Sequence, residues 1–335
     1  MLDNATVWVP ATSANLGPGF DCLGLALDLW NRTSFSTVEP DRSGQPPNSG
    51  ASPRVQVNVS GEGSGWLPGD QRNLVARAAR HLFEAVGAPQ PAYLLVQCKN
   101  DIPLSSGLGS SSAAVLSGLL GANALLDSAL SQQELLALAA EIEAHPDNVA
   151  PALLGGLVIV TQAEEVETTT LEKERNATGH SRLVVQRLDL PPLHAAVVLP
   201  DVRLSTRQAR AALPARVPLA DAVFNLGRTA LVIQALQAGN IRLLSSVMHD
   251  RLHQPYRLPL IPGAAAALKA AQDAGAAAAL SGAGPSIVAF STHDPAEIIS
   301  RMKAAFRQAG LHTRSFKLKI SPSGAQVQSS NAEGG

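Results

Sequence analysis

The stretch Pro103-Leu-Ser-Ser-Gly-Leu-Gly-Ser-Ser-Ser-Ala-Ala114 decides how this chain reads. It is a glycine and serine loop that runs straight into an apolar helical pattern, Val115 to Leu126. Glycine lets the backbone turn tightly and come close to a ligand. A helix start offers unpaired N–H groups and the positive end of a dipole, which suits a phosphate. The hydroxyls of Ser110, Ser111 and Ser112 can donate to phosphate oxygens or help hold a magnesium ion. No Gly-Lys-Ser/Thr closes the loop, so it is not a Walker A loop, and the three-glycine dinucleotide spacing is missing. The plain alternative is a small-residue turn ahead of a core helix.

The chain has 335 residues, enough for two ordinary domains. Apolar residues make up 45%, which supports sizeable cores, while charged residues make up 16% and the formal net charge is -1. Such a balance offers no electrostatic footprint for nucleic acid or an anionic membrane. Cys22 and Cys98 are far apart and fit no metal spacing, so they read as reduced small hydrophobes. The N-terminus has no basic region followed by an apolar run, and no uninterrupted apolar stretch reaches the roughly 18 residues of a membrane span. The expectation is a cytoplasmic protein with no membrane partner.

Outward from the loop, Thr6–Pro10, Phe20–Trp30, Val55–Val59, Tyr93–Cys98 and Gly155–Val160 read as strands. Asn73–Val86 and Gln133–Glu143 read as helices. Residues 41–53 form a polar surface excursion, and residues 168–181 an exposed loop near a domain boundary. The second half runs as a strand (His194–Leu199), helices (Ser205–Leu213, Leu219–Ala238, Ile241–Met248, Pro262–Gly275), two strands, a helix (Pro295–Ala309) and a last strand. That order suggests a ferredoxin-like split unit with inserted helices. Residues 321–335 are low-complexity and polar, and are expected to be disordered.

Two further glycine-containing segments flank the loop in sequence. They are Pro10-Ala-Thr-Ser-Ala-Asn-Leu-Gly-Pro-Gly-Phe-Asp-Cys-Leu-Gly24 and Leu280-Ser-Gly-Ala-Gly-Pro-Ser286. The three together resemble the motifs of the GHMP small-molecule kinases. With His145-Pro-Asp-Asn-Val-Ala-Pro151 they look like the branch that acts on L-homoserine. The likeness spans about residues 5–320. It implies an α+β fold of two domains: an N-terminal ATP-binding domain resembling ribosomal protein S5 domain 2 over residues 1–165, and a C-terminal ferredoxin-like domain over residues 185–320. The implied reaction moves the γ-phosphate of ATP to the side-chain hydroxyl of L-homoserine, with Mg2+, in threonine biosynthesis. The resemblance also allows for a homodimer.

The same likeness assigns residues. Pro103, Leu104, Ser105, Ser106, Gly107, Leu108, Gly109, Ser110, Ser111 and Ser112 would hold the phosphates of ATP. Asn73 and Leu74 match the segment that holds adenine, although an Asn opening a helix can equally be an N-cap. Ser111 and Glu143 would hold magnesium, with Glu141 as the competing carboxylate. Asn15, Asp21, His145, Asp147, Asn148 and Gly282 would form the acceptor wall. Arg210 and Arg257 match two arginines for the acceptor carboxylate, a task that suits the guanidinium fork. Arg207 is expected to face solvent. Asn148 stands where some relatives have a catalytic aspartate, so catalysis by Asn148 and Glu143 is expected to work through orientation and preorganised charge, without a strong base. The competing readings are a GHMP kinase for mevalonate, shikimate or a sugar, a ligand sensor that has lost turnover, and a nucleic-acid binder.

Overall fold

In the computed structural model, residues 1–37, 54–163 and 183–331 are described; the excursion at 41–53 and the loop at 168–181 lie outside them. The first part runs β1 (Asn4–Ala14), β2 (Leu23–Ser36), β3 (Arg54–Gly61), α1 (Leu74–Ala85), β4 (Tyr93–Asn100), α2 (Ser110–Leu125), α3 (Gln132–Glu143), α4 (Pro146–Leu154), β5 (Leu157–Gln162) and β6 (Leu183–Leu188). The second runs β7 (His194–Pro200), α5 (Thr206–Ala211), α6 (Leu219–Gln237), α7 (Ile241–Val247), α8 (Gln254–Arg257), α9 (Ala264–Asp273), β8 (Ala277–Leu280), β9 (Ile287–Ser291), α10 (Ala296–Gln308), β10 (Thr313–Lys319) and β11 (Gln326–Ser330).

The first sheet follows β11-β1-β2-β4-β3, with β5 on the Leu23–Leu25 end of β2 and β6 beyond it. Its pairs are antiparallel except β3 with β4, which are parallel and joined through α1. The helix behind the phosphate loop, α2, is apolar all round and buried along almost its whole length, the pattern of a core helix rather than a surface one. Close packing demands its glycines. A Cβ on Gly118 would lie 2.3 Å from the Val75 carbonyl of α1, and one on Gly121 2.1 Å from the Phe35 ring. The loop at its N-terminus is therefore mounted on the most deeply seated helix of this unit.

The second sheet is antiparallel in the order β10-β7-β9-β8, the split arrangement expected of a ferredoxin-like unit. Both faces are buried. Ala196, Val198, Ala278 and Leu280 pack toward α9 and α10, while Ala195, Val197, Ala277 and Ala279 join the core shared with α6, α7 and the first unit. Small residues on both faces suit a sheet sandwiched between layers. The 19-residue α6 is, by length and composition, apolar enough to cross a membrane. Here it is docked on the protein: Val232, Ala235 and Leu236 are buried, and Asn225 and Thr229 both donate to the Pro18 carbonyl.

One expectation needs correction. The tail at 321–335 is not wholly disordered, because Gln326–Ser330 forms β11 and pairs antiparallel with Asn4–Trp8. All its side chains are exposed, so composition gave no hint of it. Backbone pairing needs no apolar side chain, only a free edge. The entry to the strand is pinned by Arg187 Nη2, which donates to the Pro322 carbonyl at 2.8 Å, and by the Ala325 N–H, which donates to Ala152 O at 2.8 Å. The sheet also runs past the expected boundary at 165, since β6 and β11 both belong to it. Truncation after Ser323 is expected to lower stability by about 1–3 kcal/mol in urea unfolding and to expose the β1 edge to amide exchange. A disordered tail would leave both unchanged.

Candidate active site

Hydrogen bonds draw the three glycine segments to one place. The Ser281 hydroxyl donates to Gly107 O at 2.7 Å and lies in hydrogen-bond contact with the Ser13 hydroxyl at 2.9 Å. The Gly282 N–H donates to Ala14 O, the Ser286 N–H to Ser106 O, and Asn15 Nδ2 to Gly282 O. A Cβ on Gly107 would lie 2.3 Å from Ser281 O, so glycine is needed for the two units to meet there. The segment after β1 is tightly wound: Asn15, Leu16 and Asp21 all have left-handed φ, at 69°, 47° and 56°. Such conformations cost about 1 kcal/mol or more each for non-glycine residues and persist only where the surroundings enforce them.

A cleft of about 260 Å³ opens at this junction. One wall is the start of α2, with Ser105, Ser106, Gly107, Gly109, Ser110, Ser111 and Ser112 lining it. Gly109 is the left-handed N-cap, and the first helical bond is Ala113 N–H to Gly109 O. The three serine N–H groups precede that bond and point out of the helix end. Leu108 is fully buried, and its N–H goes to Ser106 Oγ, so it holds the loop shape rather than facing the cleft. Pro103 and Leu104 lie on a second cavity of about 780 Å³, along with Trp66, Arg203 and Arg314; Ser105 lines both spaces.

At the C-terminal end of α3, Glu143 accepts hydrogen bonds from Ser111 Oγ and Ser112 Oγ, each at 2.8 Å. Glu141 is exposed and does not line the cleft. Ala144 then takes a left-handed turn, and Pro146 opens α4, which brings Asp147 and Asn148 to the cleft. Asp147 is buried under β2, where a Cβ on Gly24 would lie 1.8 Å from its carbonyl. Burial, and then the neighbouring Asp21 carboxylate, push the Asp147 carboxyl up to about 7. Asn148 Nδ2 donates to Asp147 Oδ1 at 3.3 Å.

The opposite wall carries the cations. Arg210, on α5, donates from Nη2 to Asp21 Oδ1 at 2.9 Å and from Nε to His145 Nε2 at 3.1 Å. Burial, and then this guanidinium, hold the His145 pKa below its ordinary value, which suits a neutral acceptor ring. Arg257 is buried, and its hydrogen bonds reach Ala209 O, Gly282 O and His253 Nδ1, all neutral. Burial, and then Arg210, lower its pKa, as expected for one cation placed beside another. Phe20 lies against both guanidiniums, 5.8 Å from Arg210 and 5.1 Å from Arg257. Such a pair is a receptor for a carboxylate. Arg207 is exposed, as expected.

Asn73 and Leu74 lie outside both cavity linings. Asn73 is an N-cap: its Oδ1 accepts from Val75 N–H at 3.0 Å and its Nδ2 donates to Pro68 O. Motif reading also missed a buried polar scaffold behind Arg257. Asp250 accepts from the N–H groups of Leu252, His253 and Gln254 and from Asn225 Nδ2. The His253 ring lies 2.8 Å from Gly17 O through Nε2, so Nδ1 is the free acceptor for Arg257. Gln254 Oε1 accepts from Leu280 N–H at the root of the third glycine segment. The signal was the polar run His249-Asp-Arg-Leu-His-Gln254, whose burial no pattern reveals. Cys98 is buried and Cys22 partly so; both thiols are free, with burial as the first cause of a pKa raised to about 11, which leaves them unreactive near neutrality.

Residues 73–156 match the family profile for the GHMP kinases N terminal domain, and residues 232–308 that for the GHMP kinases C terminal domain. The chain is 43% identical over 307 residues to the homoserine kinase of Moorella thermoacetica, covering 91% of this chain and 93% of that one. It is 42% identical over 327 residues to the homoserine kinase of Synechococcus sp. strain CC9902, covering 97% and 96%. Among solved structures, the homoserine kinase of Cytophaga hutchinsonii aligns with a TM-score of 0.78 at 31% identity, covering 98% of each chain. The mevalonate diphosphate decarboxylase of Staphylococcus aureus aligns with a TM-score of 0.64 at 15% identity, a likeness of fold alone.

The raised Asp147 pKa has a measurable sign. A native carboxyl that keeps its proton up to about 7 binds more protons than the unfolded chain between roughly pH 4 and 7. Stability falls across that window as pH rises, and the deficit is full above it. Asp147→Asn is therefore expected to stabilise the unliganded protein at pH 8 by more than about 1 kcal/mol, and by little at pH 4. Urea unfolding of both proteins across pH 4 to 8 measures the difference.

Proposed function

Because this chain belongs to the homoserine kinases of the GHMP kinase family, we propose that its cleft seats the ATP phosphates at the start of α2 and the amino acid between Arg210, Arg257 and Asp21. The reaction transfers the γ-phosphoryl group of ATP to the side-chain hydroxyl of L-homoserine, a step of threonine biosynthesis. The observation that carries this reading is the segregation of charge in one cleft: an amide-rich helix end on one wall, two guanidiniums on the other. Anionic phosphate suits the first, and the α-carboxylate the second. The Asp21 carboxylate, already at Arg210, is placed to take the ammonium group.

The second cavity meets the first at Ser105 and has an apolar floor of Pro103, Leu104 and Trp66. It is the natural seat for the nucleoside. The base then stacks near Trp66, while Asn73 caps α1.

The residues present fit a magnesium ion carried in with the nucleotide. Among the described residues, the wall at the start of α2 carries no lysine or arginine, and the ligating atoms there are the hard oxygens of Glu143, Ser111 and Ser112. Among the described residues no cluster of three His, Cys, Asp or Glu side chains forms a metal cage, which matches an ion held mainly by phosphates with one protein carboxylate. Bound there, Mg2+ would neutralise charge on the phosphate oxygens.

Phosphoryl transfer passes through a loose transition state and asks mainly for alignment and charge stabilisation. The loop amides take the phosphate oxygens, and the arginines fix the acceptor so that its hydroxyl lies by Asp147 and Asn148. Asn148 offers an amide donor where charge gathers. Asp147 accepts a hydrogen bond from the hydroxyl and aligns it; as the new O–P bond forms and the bond to ADP breaks, the hydroxyl proton passes late to an oxygen of the transferred phosphoryl group. A neutral sugar would leave the buried Arg257, whose hydrogen-bond partners are all neutral, without an anion, which favours a carboxylate-bearing acceptor over a sugar.

Two kinetic tests follow. Arg210→Leu is expected to raise KM for homoserine by about 10–100-fold while KM for ATP stays within about threefold. Equal rises in both constants would remove Arg210 from the acceptor site. Asp147→Asn is expected to raise KM for homoserine and lower kcat by no more than about 10²–10³-fold. A collapse of turnover with homoserine binding intact would make Asp147 a true base.

A further inference from the structure

We propose that Thr12 is a positioning residue that fixes the orientation of the Asn148 carboxamide during phosphoryl transfer. The proposal rests on the role just assigned to Asn148. Thr12 lies in the first glycine segment but belongs to none of the binding roles, and it is fully buried. Its hydroxyl donates to Asn148 Oδ1 at 2.7 Å, and its N–H donates to Leu108 O of the phosphate loop at 3.1 Å. One residue therefore holds both the loop and the amide that faces it.

Gly109 marks how tightly this contact is built. A Cβ there would lie 2.0 Å from Thr12 Oγ1 and 3.3 Å from Asn148 Oδ1. The space above the helix N-cap is filled by the Thr12–Asn148 hydrogen bond itself. Glycine at 109 thus serves this bond as well as the left-handed cap.

The chemical consequence follows from the symmetry of a carboxamide. Its oxygen and nitrogen ends have nearly the same shape and opposite hydrogen-bonding character. With Thr12 donating to Oδ1, the amide nitrogen turns toward Asp147 and the cleft, as seen in its 3.3 Å contact with Asp147 Oδ1. A donor then faces the phosphoryl group. Turned over, the amide would set its oxygen against the phosphate oxygens, which repel it. The Thr12 hydroxyl, which could bond either end of the amide, donates here to Oδ1 and so holds the state that the phosphate oxygens favour, and β-branching stiffens the side chain that carries it.

The test is a double-mutant cycle on the full chain with ATP-Mg and homoserine, using Thr12→Val, Thr12→Ser, Asn148→Ala and the Thr12→Val/Asn148→Ala pair. Thr12→Val is expected to lower kcat by about 10–100-fold with both KM values within about threefold. Thr12→Ser, which keeps the donor, is expected to recover most of the rate. The double variant is expected to be no slower than Asn148→Ala beyond about twofold, because Thr12 acts through the amide. Three results would overturn the proposal: a Thr12→Val enzyme with normal kcat beside an impaired Asn148→Ala, losses that add in the double variant, or a rise in both KM values with kcat intact. A normal kcat for Asn148→Ala would instead sink the role of Asn148 on which it rests. If Thr12→Val does not fold, Thr12→Ala replaces it, with loss expected for Ala and not for Ser.

Discussion

The Ser281 hydroxyl, shared between Gly107 O and Ser13 Oγ, is the contact on which the active cleft depends. It joins three chain segments separated by most of the sequence. Around it the Gly282 and Ser286 N–H groups and the Asn15 amide complete a seam between the two units. The Gly282 and Ser286 N–H groups and the carbonyls of Gly107 and Gly282 find their partners across a domain junction, where no regular ladder is available to satisfy them. This is why glycine recurs there. At Gly107 a side chain would collide with the partner segment, and at Gly109 with Thr12. The glycines serve the protein's own closure as much as the approach of a ligand.

The seam also settles where charge can sit. Arg257 is buried among neutral partners, and Asp147 is buried beside Asp21. Both arrangements are unfavourable in the unliganded state, one for want of an anion and the other through like-charge repulsion. Neither is a structural economy. On the proposed reading they prepare the pocket for a zwitterion with a hydroxyl arm, and they are the kind of local instability that binding sites carry. The buried scaffold of Asp250, His253 and Gln254 bears the load: it caps the turn into α8, orients Arg257, and anchors the root of the third glycine segment.

Much of this was legible in the sequence. The loop and its helix follow from a motif that turns tightly and the ferredoxin-like order of the second half from its periodicity, while the clustering of Asn15, Asp21, His145, Asp147, Asn148, Arg210, Arg257 and Gly282 around one cleft is what the resemblance to the GHMP kinases implied. Three things did not follow. The strand Gln326–Ser330 pairs through its backbone alone, so its polar side chains gave a disorder signature. That Asn73 caps α1 is shown by its two hydrogen bonds and not by residue type, and a cap leaves a ligand contact open. Thr12 and His253 act through a neighbour, and a residue that orients another leaves no spacing pattern of its own.

A crystal structure with a non-hydrolysable ATP analogue, Mg2+ and L-homoserine tests whether one cleft aligns phosphate and acceptor without a protein base. The γ-phosphate is expected at the Ser110–Ser112 amides, the homoserine carboxylate on Arg210 and Arg257, and the acceptor oxygen in line with the γ-phosphorus. A homoserine carboxylate held elsewhere, or an acceptor oxygen turned away from the phosphate, would contradict it.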